Sequence, residues 1–155
     1  MSANILSVIP TDPRWQPATG AADRAVSLAT RLAPASPGDP ETRIKAKWLD
    51  TVTFVDCGEN LERINCPECG RVIENEHWVK QMDLRFESGF EDLTLSVPCC
   101  GAQTTLDALV YEGPCGFARF EISIWEPGRD RFTDDELAAL AEALGHSVRQ
   151  VMAHI

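Results

Sequence analysis

The sequence predicts a mixed α+β fold in which a strand-helix-strand unit stands on either side of a cysteine-bearing interruption. Three observations predict it. Apolar residues alternate in runs near both ends of the chain, stripes of apolar residues at helical spacing accompany those runs, and two Pro-x-Cys-Gly turns lie near the middle. With 155 residues the chain can build one domain with a sizeable apolar core and is too short for two large ones. Four Trp, six Phe and many Leu, Val and Ile place it among globular chains.

Asn4 to Ile9 is rich in β-branched and aliphatic residues, and Pro10 and Pro13, which lack a backbone N–H, stop the run. Between Ala21 and Ala33 the residues Ala25, Leu28, Ala29 and Leu32 recur at helical spacing, with Thr19 as the expected N-cap and Pro34 as the stop. Pro34 to Pro40 is turn-rich and reads as an exposed connection. Thr51 to Val55 predicts the second strand. Leu61 to Ile73 predicts a hairpin with Cys66 and Cys69 in its turn. Asn75 can cap a helix carrying Trp78, Val79, Met82 and Phe86 on one side. Leu93, Leu95 and Val97 alternate with Thr94 and Ser96, as in a half-buried strand that delivers Cys99 and Cys100 to its end. Thr105 to Tyr111 reads as a short helical turn packing Leu106, Leu109 and Tyr111.

Phe120, Ile122 and Ile124 alternate with Arg119, Glu121 and Ser123 and define a strand over Phe117 to Trp125, closed by Pro127-Gly128. Thr133-Asp-Asp-Glu136 is a capping box, Leu137, Leu140, Ala141 and Leu144 form a stripe, and Gly145 sits where a helix ends. Val148 to Ile155 predicts the last strand. Without the middle region the order is β-α-β followed by β-α-β, the order of a ferredoxin-like split βαβ sandwich joined by right-handed crossovers.

The middle region carries the chemistry. Cys66-Pro67-Glu68-Cys69-Gly70 aims two sulfurs at one point, and Pro98-Cys99-Cys100-Gly101 repeats its ending, with Val97 in the place of Cys66 and Cys99 as the substitute ligand. These residues resemble a zinc knuckle of the zinc-ribbon or rubredoxin-like class, over residues 57 to 101. The resemblance implies a structural Zn²⁺ held by Cys66, Cys69, Cys99 and Cys100 in a zinc-binding insertion, 57–101, of a single domain, 1–155. The adjacent pair Cys99-Cys100 departs from the usual spacing, and adjacent side chains diverge in an extended strand. Cys57, Cys115 or His77 therefore stands as the alternative fourth ligand. Four thiols leave no coordination position for water, which favours a structural over a catalytic metal. The His-x-Glu of zinc deaminases is missing from the sequence. Pro67 and Gly70 also mark a knuckle rather than the helix start that activates a redox Cys-x-x-Cys.

His77, His146 and His154 are scattered and form no Ser/His/Asp or Cys/His arrangement. Asp56-Cys57-Gly58-Glu59-Asn60 reads as a tight turn, and Trp15, Trp48, Trp78 and Trp125 read as core anchors. No glycine-rich phosphate loop of the known kinds occurs. No catalytic residue is assigned.

The formal charge is −10, and it is unevenly spread: +1 over residues 1–50 and −11 over residues 51–155. That balance opposes binding to a phosphate backbone, for which Arg43-Ile-Lys45-Ala-Lys47-Trp48 is too short a patch. It favours a basic protein partner. No export signal or membrane-length apolar run is seen, and reduced thiols fit a cytoplasmic protein. The sequence thus reads as a non-enzymatic, zinc-stabilised acidic binding module, similar in class to immunity or antitoxin proteins that neutralise a basic partner. A zinc-ribbon module on nucleic acid or transcription machinery and a zinc-dependent hydrolase or deaminase are the alternatives.

Overall fold

A computed structural model of the chain describes residues 3–33 and 43–155. In chain order its elements are β1 (Asn4–Pro10), α1 (Thr19–Leu32), β2 (Ile44–Val55), β3 (Arg63–Asn65), α2 (Asn75–Phe86), β4 (Thr94–Ser96), β5 (Gln103–Thr105), β6 (Val110–Glu112), β7 (Gly116–Trp125), α3 (Asp134–Leu144) and β8 (Val148–His154). A 3₁₀ turn at Leu106–Ala108 separates β5 from β6. The described residues form a mixed α+β structure with three α-helices and antiparallel sheets. The connection expected at Pro34 to Pro40 lies outside the described residues.

The central sheet has the order β2-β7-β1-β8, and every neighbouring pair is antiparallel. Alternation along a strand gives the sheet two faces. Leu6, Val8, Phe120, Ile122 and Ile124 point to one of them and pack with α1, α3 and Phe132 in one core. The stripe Ala22, Ala25 and Ala29 is buried on α1, where small side chains let the helix approach closely. On α3 the capping box forms fully: Glu136 N–H donates to Thr133 Oγ1 at 3.2 Å and Thr133 N–H to Glu136 Oε1 at 2.8 Å. Arg129 secures that carboxylate, its Nη1 donating to Glu136 Oε2 at 2.9 Å. Gly145 then ends the helix with φ +89°.

Several local expectations change. Thr19 and Asn75 are the first residues of α1 and α2, with Ala18 and Glu74 at the cap positions, and neither cap makes a side-chain hydrogen bond to the free N–H groups. Val110 and Tyr111 belong to β6 rather than to a helical turn, and β3 takes β6 as its partner, with a single Asn65–Val72 bridge across the expected Leu61 to Ile73 hairpin. β2 begins at Ile44 rather than Thr51, because a register shift between Trp48 and Thr53 interrupts its alternation and hides the first half from a periodicity reading. The Arg43 to Trp48 stretch is thus largely edge strand, a position where lysines discourage unwanted strand pairing.

Val55 pairs with Gly116, so residues 56–115 leave and rejoin the sheet at one point. This lobe holds only short pairings, β3 with β6 and β4 with β5, three residues each. Its core, including Ile64, Ile73, Leu95, Val97, Leu106 and Leu109, packs with Ile9, Phe117 and Val151 of the sheet. Those sheet residues alternate with the helix-facing set and lie on the opposite face. Aromatic contacts join the two parts. Phe54 of β2 meets Trp78 edge-on at 5.6 Å, Phe90 meets Phe117 at 5.3 Å, and Trp78 meets Tyr111 at 6.2 Å. Trp78 Nε1 donates to the Tyr111 hydroxyl at 3.2 Å, and that hydroxyl donates to the Leu106 carbonyl at 2.7 Å.

Trp78 and Trp15 are half-buried against the two cores, whereas Trp48 and Trp125 are exposed. Only the first pair matches the expectation of core anchors. No helix among the described residues is long and apolar enough to cross a membrane.

Candidate metal centre

Each Pro-x-Cys-Gly turn closes a short strand with the same pair of backbone hydrogen bonds. After β3, Gly70 N–H donates to the Cys66 carbonyl at 3.0 Å and Cys66 N–H to the Arg71 carbonyl at 2.8 Å. After β4, Gly101 N–H donates to the Val97 carbonyl at 2.9 Å and Val97 N–H to the Ala102 carbonyl at 2.9 Å. The two loops are conformational repeats with Val97 where the first has Cys66. Gly70 and Gly101 adopt φ +76° and +71°, and an added Cβ would meet nothing within 4 Å at either. Backbone dihedrals, not crowding, call for glycine there.

The loops face one another. Cys66 Sγ lies 3.9 Å from Cys100 Sγ, Cys69 Sγ lies 3.3 Å from Cys99 Sγ, and all four sulfurs lie within 4.8 Å of one another. Four sulfurs around Zn²⁺ at about 2.3 Å would be about 3.8 Å apart, in the middle of this range. Cys99 and Cys100 occupy a turn instead of an extended strand, so their side chains need not diverge. Cys66 is buried, Cys99 half-buried, and Cys69 and Cys100 are exposed. Among the described residues no other group of three or more His, Cys, Asp or Glu converges in this way.

The electrostatics fit a cation. Hydrogen bonding from the Cys69 backbone N–H, with a further contribution from Glu68 N–H, lowers the Cys66 thiol to about 7. The Glu68 N–H to Cys66 Sγ distance is 3.4 Å. Cys99 is pushed up to about 12, first by its hydrogen bond with Cys69 and then by burial. At Cys100 the Ala102 N–H pulls the thiol down, but burial and the hydrogen bonds with Cys66 and Cys69 outweigh it, and the net shift is upward. Four such thiols cannot all ionise side by side without positive charge between them. A divalent ion bound there would supply it and reverse that balance.

The alternative ligands lie outside the cluster. Cys57 and Cys115 are fully buried at the neck of the lobe, and Cys57 Sγ donates to the Gly113 carbonyl at 3.0 Å. Burial raises both of their thiols above the ordinary range, so they behave as inert packing groups. His77, in the first turn of α2, has Nε2 buried without a hydrogen-bond partner and does not join the four sulfurs. His146 stacks on Trp15 at 4.6 Å between ring centroids. His154 places Nδ1 2.9 Å from Asn4 Oδ1 and Nε2 3.7 Å from Glu59 Oε2.

The Asp56 to Asn60 segment is the tight turn its composition predicts: Gly58 N–H donates to Asp56 Oδ1 at 2.9 Å and Asn60 N–H to the Cys57 carbonyl at 3.2 Å. Its second role carries no local signal. The turn docks on the free edge of β8 through Glu59 N–H to the His154 carbonyl at 2.9 Å and Asn60 Nδ2 to the Met152 carbonyl at 2.8 Å. A cleft of about 750 Å³ opens beside this contact, lined by Asn4, Asn60, Glu126, Arg131 and His154 among others. None of the four clustered cysteines lines it.

No family model matches the chain, nor does any curated protein or solved structure. The cysteine cluster is compatible with a zinc-binding motif. Four protein sulfurs fill a tetrahedral shell, which suits an ion that holds structure.

Proposed function

We propose that the chain is a non-enzymatic protein-binding module, folded around a structural Zn²⁺ on Cys66, Cys69, Cys99 and Cys100, whose acidic surface docks on a basic protein. The observation that carries the metal part is the convergence, within 4.8 Å, of four sulfurs from turns some thirty residues apart in sequence. A thiolate set of this kind selects zinc over Mg²⁺ or Ca²⁺, which prefer oxygen ligands. The strand order β2-β7-β1-β8, with α1 and α3 on one face, supports reading the scaffold as a ferredoxin-like split βαβ sandwich carrying a zinc-ribbon-like insertion.

The binding part rests on charge. Residues 56–115 carry twelve Asp and Glu against four Lys and Arg, a net −8, while all remaining residues together carry −2. A tetrathiolate zinc centre adds about two further negative charges. Such a field speeds encounter with a basic protein and repels nucleic acid. Immunity-type neutralisation of a basic toxin is one role of this class.

Elemental analysis of the reduced, purified protein tests the metal: one zinc per chain is expected, lost on Cys66→Ser, Cys69→Ser, Cys99→Ser or Cys100→Ser and retained on Cys57→Ser or Cys115→Ser. A metal-free preparation with a fully folded lobe defeats the proposal. For the binding role, a purified basic partner should associate more weakly as salt rises; retention of labelled DNA or RNA at moderate salt would favour the nucleic-acid alternative instead.

A further inference from the structure

The geometry points to the outer face of α2 as the docking surface for that basic partner, an inference that rests on the binding role just proposed. No residue of α2 is buried. Trp78 and Met82 lean on the lobe core, and Arg85 ties the helix end to the following loop through Asp92 Oδ2 at 3.1 Å and the Thr94 carbonyl at 2.7 Å. At 100° per residue the opposite side presents Glu76, Lys80, Asp83 and Glu87 as a ridge, with Val79 and Phe86 along one border and Leu84 along the other. Val79, Phe86 and Leu84 are 39 %, 71 % and 63 % exposed. Single exposed apolar residues are ordinary, but three large ones within eight positions, interleaved with carboxylates, have the make-up of an interface with apolar anchors and a charged rim.

Charge complementarity names the occupant. Residues 74–92 hold six Asp and Glu against Lys80 and Arg85, and Arg85 is already engaged by Asp92. A segment of a protein partner that sets Lys or Arg against Glu76, Asp83 and Glu87, and aliphatic or aromatic side chains against Leu84, Val79 and Phe86, satisfies both parts of the face. Nucleic acid satisfies neither, since its phosphates meet carboxylates. The ridge lies outside the four-cysteine cluster, so docking leaves the metal shell intact.

The test uses the zinc-loaded full chain, isotope-labelled for NMR, titrated with a synthetic amphipathic peptide of Lys and Leu at helical spacing and, separately, with a lysine-rich peptide lacking apolar residues. Shift changes confined to residues 75–90 are expected with the first peptide. Binding should weaken at least about tenfold in Leu84→Ser/Phe86→Ser and fall with added salt and in Glu76→Gln/Asp83→Asn/Glu87→Gln. These side chains are exposed, so unchanged spectra elsewhere will show that the variants fold. Equal binding of the two peptides means counterion attraction only and overturns the inference. Binding at another face overturns it too but leaves the acidic-module reading standing, whereas no binding of either peptide counts against both. Concentration-dependent self-association abolished by Leu84→Ser/Phe86→Ser would assign the face to a second copy of this chain and reject the basic partner there.

Discussion

The sheet with its two helices and the lobe inserted into it solve the folding problem in different ways. The first buries Phe120, Ile122, Ile124, Leu6 and Val8 beneath α1 and α3, a continuous apolar layer in which each large side chain contributes roughly 1.5–3 kcal/mol. The lobe has three-residue strands, a helix with nothing buried, and most of the negative charge of the chain. Its core, which includes Ile64, Ile73, Leu95, Val97, Leu106 and Leu109, must also hold together against self-repulsion. Long strands and packed helices carry the one; in the other, four converging thiols could add a metal cross-link to the packing.

Removing the ion should break the comparison most widely. Chelation or Cys66→Ser is expected to remove about 10 kcal/mol or more of apparent folding free energy from the lobe. Amide exchange should then accelerate over residues 61–112 while α1 and α3 stay protected; uniform exchange throughout would show that the two parts fold as one. Phe120→Ala attacks the other region and should cost about 3–5 kcal/mol in denaturant unfolding, with loss of both parts, because the lobe is seated on the sheet. Tyr111→Phe leaves the Leu106 carbonyl and the Trp78 indole N–H without their hydroxyl partner and should cost about 1–3 kcal/mol, read as a shift in Trp fluorescence on unfolding and confined to the lobe. Thr133→Ala removes the cap of α3 and should cost about 1 kcal/mol.

The smallest effect concerns acid. The Arg129 hydrogen bond, aided by the Thr133 N–H, lowers Glu136 from 4.5 to about 2. A carboxylate held below its unfolded value stabilises the fold above that value and ceases to do so as pH falls through the folded one. Between pH 4.5 and 2 the wild type should therefore lose more stability than Glu136→Gln, measured by urea unfolding at each pH. A parallel decline in the two proteins would remove Glu136 from the account.

The elements legible from sequence are those whose signal is local. The capping box and apolar stripe of α3, the alternation of Phe120, Ile122 and Ile124, and the paired Pro-x-Cys-Gly turns each announce a conformation within a few residues. The start of β2 did not, because the irregularity after Trp48 breaks its period. Nor did the orientation of α2: Val79 and Phe86 share a sequence stripe with Trp78 and Met82, yet the latter two pack on the core while Val79 and Phe86 stay exposed, Phe86 reaching the core edge-on at Phe90, 6.0 Å between centroids. For the cysteines, spacing indicates a knuckle at Cys66 and Cys69 but leaves Cys57, His77 and Cys115 as rivals to Cys99 and Cys100.

By itself, then, the sequence determined the class of fold, the capped last helix, the uneven charge and the presence of two thiol-bearing turns, since each follows from composition or from short-range backbone preference. Tertiary structure alone decided which sulfurs share a site, that the 56–60 turn braces the edge of β8, and which side of α2 is left to solvent. Those outcomes depend on contacts between residues far apart in the chain, and no local pattern encodes a distance in space.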